Sequence, residues 1–196
     1  MAALQFPTEL LVKAQGTGLG VKLALFDVDG VLTDGRIYIG DSGEVFKAFS
    51  TLDGHGLKSL QQVGITPVVI TGRDSPAVRR RVADLGLKHA LYGIGDKLAA
   101  AEPLLQQLGV AWGEVAAIGD DWPDLPLLAR AGFAAAPPGA HAEVLAIAHH
   151  VTRAAAGYGA AREFCDLLLM AAGHYERLLH AHHETLDGGK PREGQA

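Results

Sequence analysis

Five short apolar runs punctuate the chain, at residues 23–26, 68–70, 116–118, 133–136 and, more weakly, 149–152. Each is about four residues long and ends in polar residues or glycine, the pattern of strands buried on both faces of a parallel sheet. Between them Val78, Val82 and Leu85 recur at helical spacing, as do Leu98, Leu105 and Leu108. Strand–helix alternation of this kind predicts an α/β fold around a parallel central sheet. Residues 160–180 place Phe164, Leu167, Leu168, Ala171, Tyr175 and Leu178 along one face and predict a single amphipathic helix.

One segment breaks the rhythm. Residues 35–49 hold two β-prone arms, 36–39 and 44–49, around Gly40-Asp41-Ser42-Gly43, which predicts an inserted β-hairpin. A length of 196 residues suits one domain, expected over 1–186, with a polar, glycine-rich and disordered tail at 187–196.

Composition narrows the function classes. With 48% hydrophobic and 20% charged residues the chain is not a disordered one. A net charge of −5 argues against a nucleic-acid partner held by bulk charge. The lone Cys165 allows no internal disulfide. No apolar run reaches the ~18 residues of a membrane span, and the first sixteen residues lack the basic-then-apolar order of a signal peptide. The expectation is a cytoplasmic domain with a core large enough for an enzyme.

The chemistry concentrates where the apolar runs end. The first run stops at Asp27, followed by Asp29 and Gly30; the run at 116–118 leads into Gly119-Asp120-Asp121-Trp122-Pro123-Asp124; the run at 68–70 ends in Thr71-Gly72-Arg73. Ligands of open parallel sheets bind outside the carboxyl ends of strands. Two acids one residue apart at such a point need a cation or a proton to relieve them. An oxygen-rich site of this kind suits Mg²⁺ shared with a substrate phosphate. Lys97 adds an ammonium at a helix start, completing the parts of a metal-assisted phosphoryl-transfer site.

Plainer readings exist for each residue. Asp27 and Asp29 also fit a calcium or helix-capping loop, Thr71 a strand-end hydroxyl, Lys97 a solvated helix start, and Asp124 an N-cap for a helix over 125–131. In the Arg79-Arg80-Arg81 run, steps of roughly 100° put Arg80 outward and Arg81 at the edge of the apolar stripe. Arg73, directly at a strand end, is the better candidate to hold a substrate carboxylate. Of the histidines 149, 150, 174, 180, 182 and 183, three lie near the C-terminal end with no cysteine or fixed carboxylate partner, so the set reads as a solvated helix end more than a zinc site. The glycines of 16–20 precede a strand, the reverse of a dinucleotide fingerprint. His55 fits a pocket wall and a helix-entry turn equally.

The motifs DVDGVLTDG, ITGR, the lone Lys97 and GDDWPD, in this order, resemble those of the haloacid-dehalogenase-like phosphatases, in the branch without a cap domain. The resemblance continues through GEVFKAFSTLDGHGLKSL, GRDSPAVRRRVADLG and GYGAARE and covers residues 23–170. It implies a Rossmann-like three-layer sandwich with the hairpin in place of a cap. It further implies Asp27 as a nucleophile forming an aspartyl-phosphate and Asp29 as general acid, then base. Mg²⁺ would be held by Asp27, the Asp29 backbone carbonyl and Asp120, with Thr71 and Lys97 binding the phosphoryl group. Asp121 and Asp124 would hold Lys97 or metal waters, and Arg73, Arg81, Thr33 and Gly72 would contact the substrate.

The implied substrate is an acidic eight-carbon sugar phosphate of lipopolysaccharide precursor synthesis, with a nine-carbon sialic-type sugar 9-phosphate as the alternative. A receiver-like signalling domain shares the strand-end acids, Thr and Lys, but Asp29 argues for rapid hydrolysis of the phospho-enzyme. A non-catalytic module would be expected to lack one of the motif acids, and none is missing. Where relatives carry Tyr-Gln-Gly and Gly-Arg-Gly, this chain has Leu91-Tyr92-Gly93 and Gly157-Tyr158-Gly159. The resemblance also implies a homotetramer in which hairpins meet around an axis and shield neighbouring pockets, with the GYGAARE tail near the neighbouring site.

Overall fold

A computed structural model describes the backbone of residues 20–187 and the side chains of residues 20–181. The glycines at 16–19, the start of the chain and the tail from 188 onward lie outside the described residues. In chain order the strands are β1 (Leu23–Phe26), β2 (Tyr38–Gly40), β3 (Gly43–Phe46), β4 (Thr66–Ile70), β5 (His89–Leu91), β6 (Val115–Ile118), β7 (Phe133–Ala136) and β8 (His150–Val151). Six of them form one parallel sheet in the order β5-β4-β1-β6-β7-β8, while β2 and β3 pair separately as an antiparallel hairpin.

The unbroken apolar runs have a simple cause. Alternate residues of each central strand point to opposite faces, and both faces are covered. Ala24 and Phe26 of β1 pack with Leu57 and Leu60 of α1 (Thr51–Gln62), Val78 and Val82 of α2 (Pro76–Leu85) and Phe164 of α6 (Ala160–Ala171). Leu23 and Leu25 pack on the other side with Leu105 of α3 (Lys97–Leu108), Leu128 of α4 (Leu125–Arg130) and Val144 of α5 (Ala142–Ile147). Phe164 closes the first layer, edge-on to Phe26 at 5.5 Å and stacked on Phe133 at 6.3 Å. Burying each such side chain contributes on the order of 1.5–3 kcal/mol. The result is the three-layer α/β sandwich expected of the sequence.

Two features depart from expectation. Residues 160–180 are not one helix: α6 stops at Ala171 and α7 (Tyr175–Asp187) begins after a break. The cause is Gly173, which adopts φ 72°, while Gly173 N–H donates to the Met170 carbonyl and His174 N–H to the Leu169 carbonyl. This is the left-handed termination that glycine favours. The apolar face runs on across the break because Tyr175 and Leu178 still pack against the core. The helix also continues to Asp187, the residue at which the tail was expected to begin.

The order of strands positions the site. The chain leaves β1 for β4 and β5 on one side, then crosses back to place β6 on the other. Asp27, Thr71 and Gly119-Asp120 follow the last residues of β1, β4 and β6, three neighbouring strands, at the carboxyl edge where such sheets bind ligands. Among the described residues no helix is long and apolar enough to cross a membrane.

Candidate active site

Asp27 is pinned by its own backbone, whose N–H donates to the Ile118 carbonyl at 3.2 Å, so β1 and β6 stay paired up to the acid. The chain then makes one tight turn, closed by the Thr33 N–H reaching back to the Val28 carbonyl at 3.0 Å. Inside it Asp29 is extended and Gly30 has φ 97°. Only glycine fits at position 30 on two counts. The conformation is left-handed, and a Cβ there would stand 2.0 Å from Asp120 Oδ2.

Asp124 organises the second acidic loop. Its Oδ2 accepts from the backbone N–H groups of Asp120 at 3.1 Å and Asp121 at 3.4 Å, and its Oδ1 accepts from Lys97 Nζ at 2.6 Å. Lys97 Nζ also donates to Asp27 Oδ1 at 2.6 Å. The lysine is held at the first position of α3, whose N-cap Asp96 accepts from the Ala99 N–H at 3.0 Å. Carboxylate oxygens of Asp27, Asp120 and Asp124 all lie within 4.8 Å of one another.

Three acids so close strain one another electrostatically. Burial, then the Asp124 charge, push Asp27 up to about 6 against the pull of Lys97. Burial, then Asp27 and Asp124, push Asp120 up to about 8. For Lys97, burial works against the charge, but Asp27 and Asp124 outweigh it and raise its pKa. One ammonium does not balance this cluster, and all the donors are hard oxygens. Both facts fit a divalent cation of the Mg²⁺ type.

The remaining predicted residues divide. Thr71 is buried just past β4, the strand beside β1, and its Oγ1 accepts from the Arg73 N–H at 3.2 Å. Gly72 is exposed, and a Cβ there would make only ordinary contact, 3.7 Å from the Ile94 carbonyl. Arg73 extends toward the hairpin, 3.7 Å from Glu44 Oε2. Thr33 is buried, donating to the Val28 carbonyl at 3.3 Å and accepting from the Gly35 N–H at 3.3 Å, so its hydroxyl shapes the turn. Arg81 donates to the Ser50 carbonyl at 2.9 Å at the start of α1 and lies over Phe49. Asp121 is exposed, and it is Asp124 that holds Lys97. Beside the acids an open cleft of about 470 Å³ is lined by Gly30, Arg36, Asp120, Ala156 and Tyr158 among others.

Several participants lie in stretches that carry the resemblance but had been given no role there. Lys47, just past β3, has a buried side chain whose Nζ bonds Asp29 Oδ1 and lies 3.2 Å from Glu44 Oε2. Glu44 Oε1 accepts from the Ser75 hydroxyl. A lysine inside the otherwise apolar stretch Val45–Phe49 was the available signal. Farther back, buried Asp53 accepts from the Arg162 N–H at 2.7 Å, at the start of α6. Glu163 accepts from the N–H groups of Arg153 at 2.9 Å and Ala154 at 3.1 Å. The GYGAARE motif thus frames the cleft from within the same chain, Gly157 N–H donating to the Val31 carbonyl at 3.0 Å. Two of the histidines also serve the frame: His149 Nδ1 accepts from the Ala134 N–H at 2.9 Å, and His150 Nε2 meets Glu163 at 3.1 Å.

A parallel sheet with an acid–lysine cluster at the switch of strand order is the arrangement of a phosphoryl-transfer hydrolase, and comparison with known proteins agrees. The family model described as haloacid dehalogenase-like hydrolase matches residues 93–164. The chain is 42% identical over 165 residues, 84% of its length and 86% of the relative's, to the 3-deoxy-D-manno-octulosonate 8-phosphate phosphatase KdsC of Escherichia coli strain K12. The chain therefore belongs to the haloacid dehalogenase-like hydrolases, among relatives that include KdsC. A probable YrbI family phosphatase from Pseudomonas syringae superposes with a TM-score of 0.84 at 43% identity, covering 96% of this chain and 99% of the other. The 3-deoxy-D-manno-octulosonate 8-phosphate phosphatase from Moraxella catarrhalis, in complex with magnesium ion, phosphate ion and KDO, superposes with a TM-score of 0.83 at 38% identity, covering 89% and 98%.

Proposed function

We infer that this protein is a Mg²⁺-dependent phosphomonoesterase that hydrolyses 3-deoxy-D-manno-octulosonate 8-phosphate to the free sugar and phosphate, a step of lipopolysaccharide precursor synthesis. The observation that carries the reading is the cluster itself. Asp27, Lys97, Asp120 and Asp124 meet at the carboxyl edge of the sheet, in a chain similar along most of its length to phosphatases of that sugar phosphate.

The Asp27 carboxylate attacks phosphorus and forms an aspartyl-phosphate as the bond to the sugar oxygen breaks. Asp29 gives its proton to that departing oxygen, then takes one from the water that attacks the aspartyl-phosphate, releasing phosphate and restoring Asp27. Lys97, held between Asp27 and Asp124, and the Thr71 hydroxyl supply positive charge and a hydrogen bond to the phosphoryl oxygens. Mg²⁺ would be held by Asp27, Asp120 and the Asp29 carbonyl, because both oxygens of Asp124 already have partners. When bound, it offsets the charge between carboxylate and phosphate and polarises the phosphoryl group. Arg73 binds the sugar carboxylate. The enzyme is cytoplasmic and works as a homotetramer, a reading supported by the exposed apolar side chains of the hairpin, with Ile39 67% and Val45 62% accessible.

Phosphate release from a panel of sugar phosphates in Mg²⁺ tests this. The eight-carbon acidic sugar phosphate is expected to give the highest kcat/KM, and Asp27→Asn to abolish it. Preference for a nine-carbon sugar 9-phosphate would move the substrate, and activity of Asp27→Asn above a few per cent of wild type would remove the nucleophile.

A further inference from the structure

Lys47 stands out because a lysine with no exposed side-chain surface is rare unless carboxylates compensate it. Here two do, Asp29 and Glu44, the second at 3.2 Å. Glu44 is itself fixed from the far side. Its Oε1 accepts from the Ser75 hydroxyl, and its Oε2 lies 3.7 Å from Arg73 Nη2.

Ser75 sits at the N-cap of α2, where a serine ordinarily accepts a hydrogen bond from the first turn. It makes no such bond, and its hydroxyl goes to Glu44 instead. A local rule broken without local gain marks a site where something else is being held. What is held is a line of contacts from the loop after β4, through Glu44 and Lys47 of the hairpin, to the carboxylate of Asp29.

Building on the phosphatase reading above, we propose that Lys47 is a positioning residue for Asp29: it fixes Oδ1, so that Oδ2 carries the proton to and from the reacting oxygens. The step itself is unchanged. The sugar–oxygen bond to phosphorus breaks as the Asp27–phosphorus bond forms, and the departing oxygen takes the proton of Asp29 Oδ2. Water then returns a proton to Oδ2 as its oxygen displaces Asp27 from phosphorus. Lys47 contributes by removing the rotamer freedom of the acid, since a proton donor works only within hydrogen-bond reach of its acceptor. Glu44 serves the same end at one remove, by holding Lys47.

The test compares p-nitrophenyl, phenyl and benzyl phosphates, similar in size and lacking the sugar contacts, in saturating Mg²⁺. Their kcat/KM reports formation of the aspartyl-phosphate with loss of the alcohol or phenol. Nitrophenolate leaves readily without a proton, whereas benzyl alcohol needs one. For Lys47→Met the loss is expected to climb from about threefold on the nitrophenyl ester to about 10²-fold on the benzyl ester. Glu44→Gln should follow the same slope more weakly, and it decides the matter if Lys47→Met does not fold. Asp29→Asn is the control. If it shows the slope and the two variants lose all three substrates equally, or lose none, the positioning role is overturned while the phosphatase reading stands. If Asp29→Asn shows no slope, the assignment of Asp29 as the acid fails and takes the inference with it.

Discussion

Replacing Asp120 by asparagine is expected to stabilise the metal-free protein and silence the enzyme. Burial and the charges of Asp27 and Asp124 move this carboxyl from 3.8 to about 8. At roughly 1.4 kcal/mol per pH unit, ionising it in the fold at pH 8 costs at most about 5–6 kcal/mol. Relaxation and water reaching this partly exposed group reduce that to about 2–3 kcal/mol. The folded pKa is raised, so the stability associated with the protonated acid is intact below pH 3.8 and is lost as pH rises towards about 8. Asparagine has no charge to acquire there. The variant's advantage should therefore widen from pH 4 to pH 8 and then level off. In a chain of this size it amounts to roughly 4–12 °C in Tm at the upper end. Thermal melts followed by circular dichroism in EDTA at pH 5 and pH 8 measure it. Repeating them in Mg²⁺ should raise the wild type and leave the variant nearly unmoved. A variant no more stable than wild type at pH 8 without metal, or equally advantaged at both pH values, would refute the electrostatic account of the cluster.

The other predictions concern recognition. Arg73→Ala should raise KM for the acidic sugar phosphate about tenfold or more, the worth of a charge-assisted contact, and change a neutral aryl phosphate little; steady-state kinetics showing equal losses would place Arg73 in the chemistry or the fold. Replacing residues 37–46 by a short Gly-Ser loop should give a folded monomer that still cleaves an aryl phosphate weakly but loses the sugar phosphate. A tetramer in sedimentation, with sugar selectivity kept, would show that the hairpin is neither the assembly element nor the substitute for a cap.

The sheet was readable from the sequence because its central strands are buried on both sides and leave unbroken apolar runs, as in Val115–Ile118 and Phe133–Ala136. The edge strand His89–Leu91 leaves no such run, because all three residues are only partly buried. Gly173 was hidden for the opposite reason: the apolar spacing carries on across it, so periodicity alone reads one helix where the backbone makes two. At the site, residues on strand ends were legible because the chain fixes their place directly. Arg81 was correctly put at the edge of its helix's apolar stripe, yet nothing local says that its partner is the Ser50 carbonyl of another element. Lys47 and Glu44, though inside the quoted GEVFKAF stretch, had no role legible in the sequence for the same cause. An exposed strand pattern predicts solvated charges, and only the fold of the hairpin onto the sheet's edge buries Lys47 against Asp29.

Charge balance ties the site together. Asp27, Asp29, Asp120 and Asp124 face two ammonium groups, Lys97 and Lys47, while Glu44 beside Lys47 is matched by Arg73, so the acids exceed the bases by two formal charges. A phosphate ester carries two negative charges of its own and is repelled by such a pocket. A divalent cation removes that excess and lets the acids stand close together, where burial and their mutual repulsion raise the carboxyl pKa values of Asp27 and Asp120. Arg73 closes this balance at its rim, partly exposed and turned toward Glu44. Neutralising one acid in the cluster relieves the repulsion and also removes the demand for the cation, so stability and catalysis pull in opposite directions at position 120.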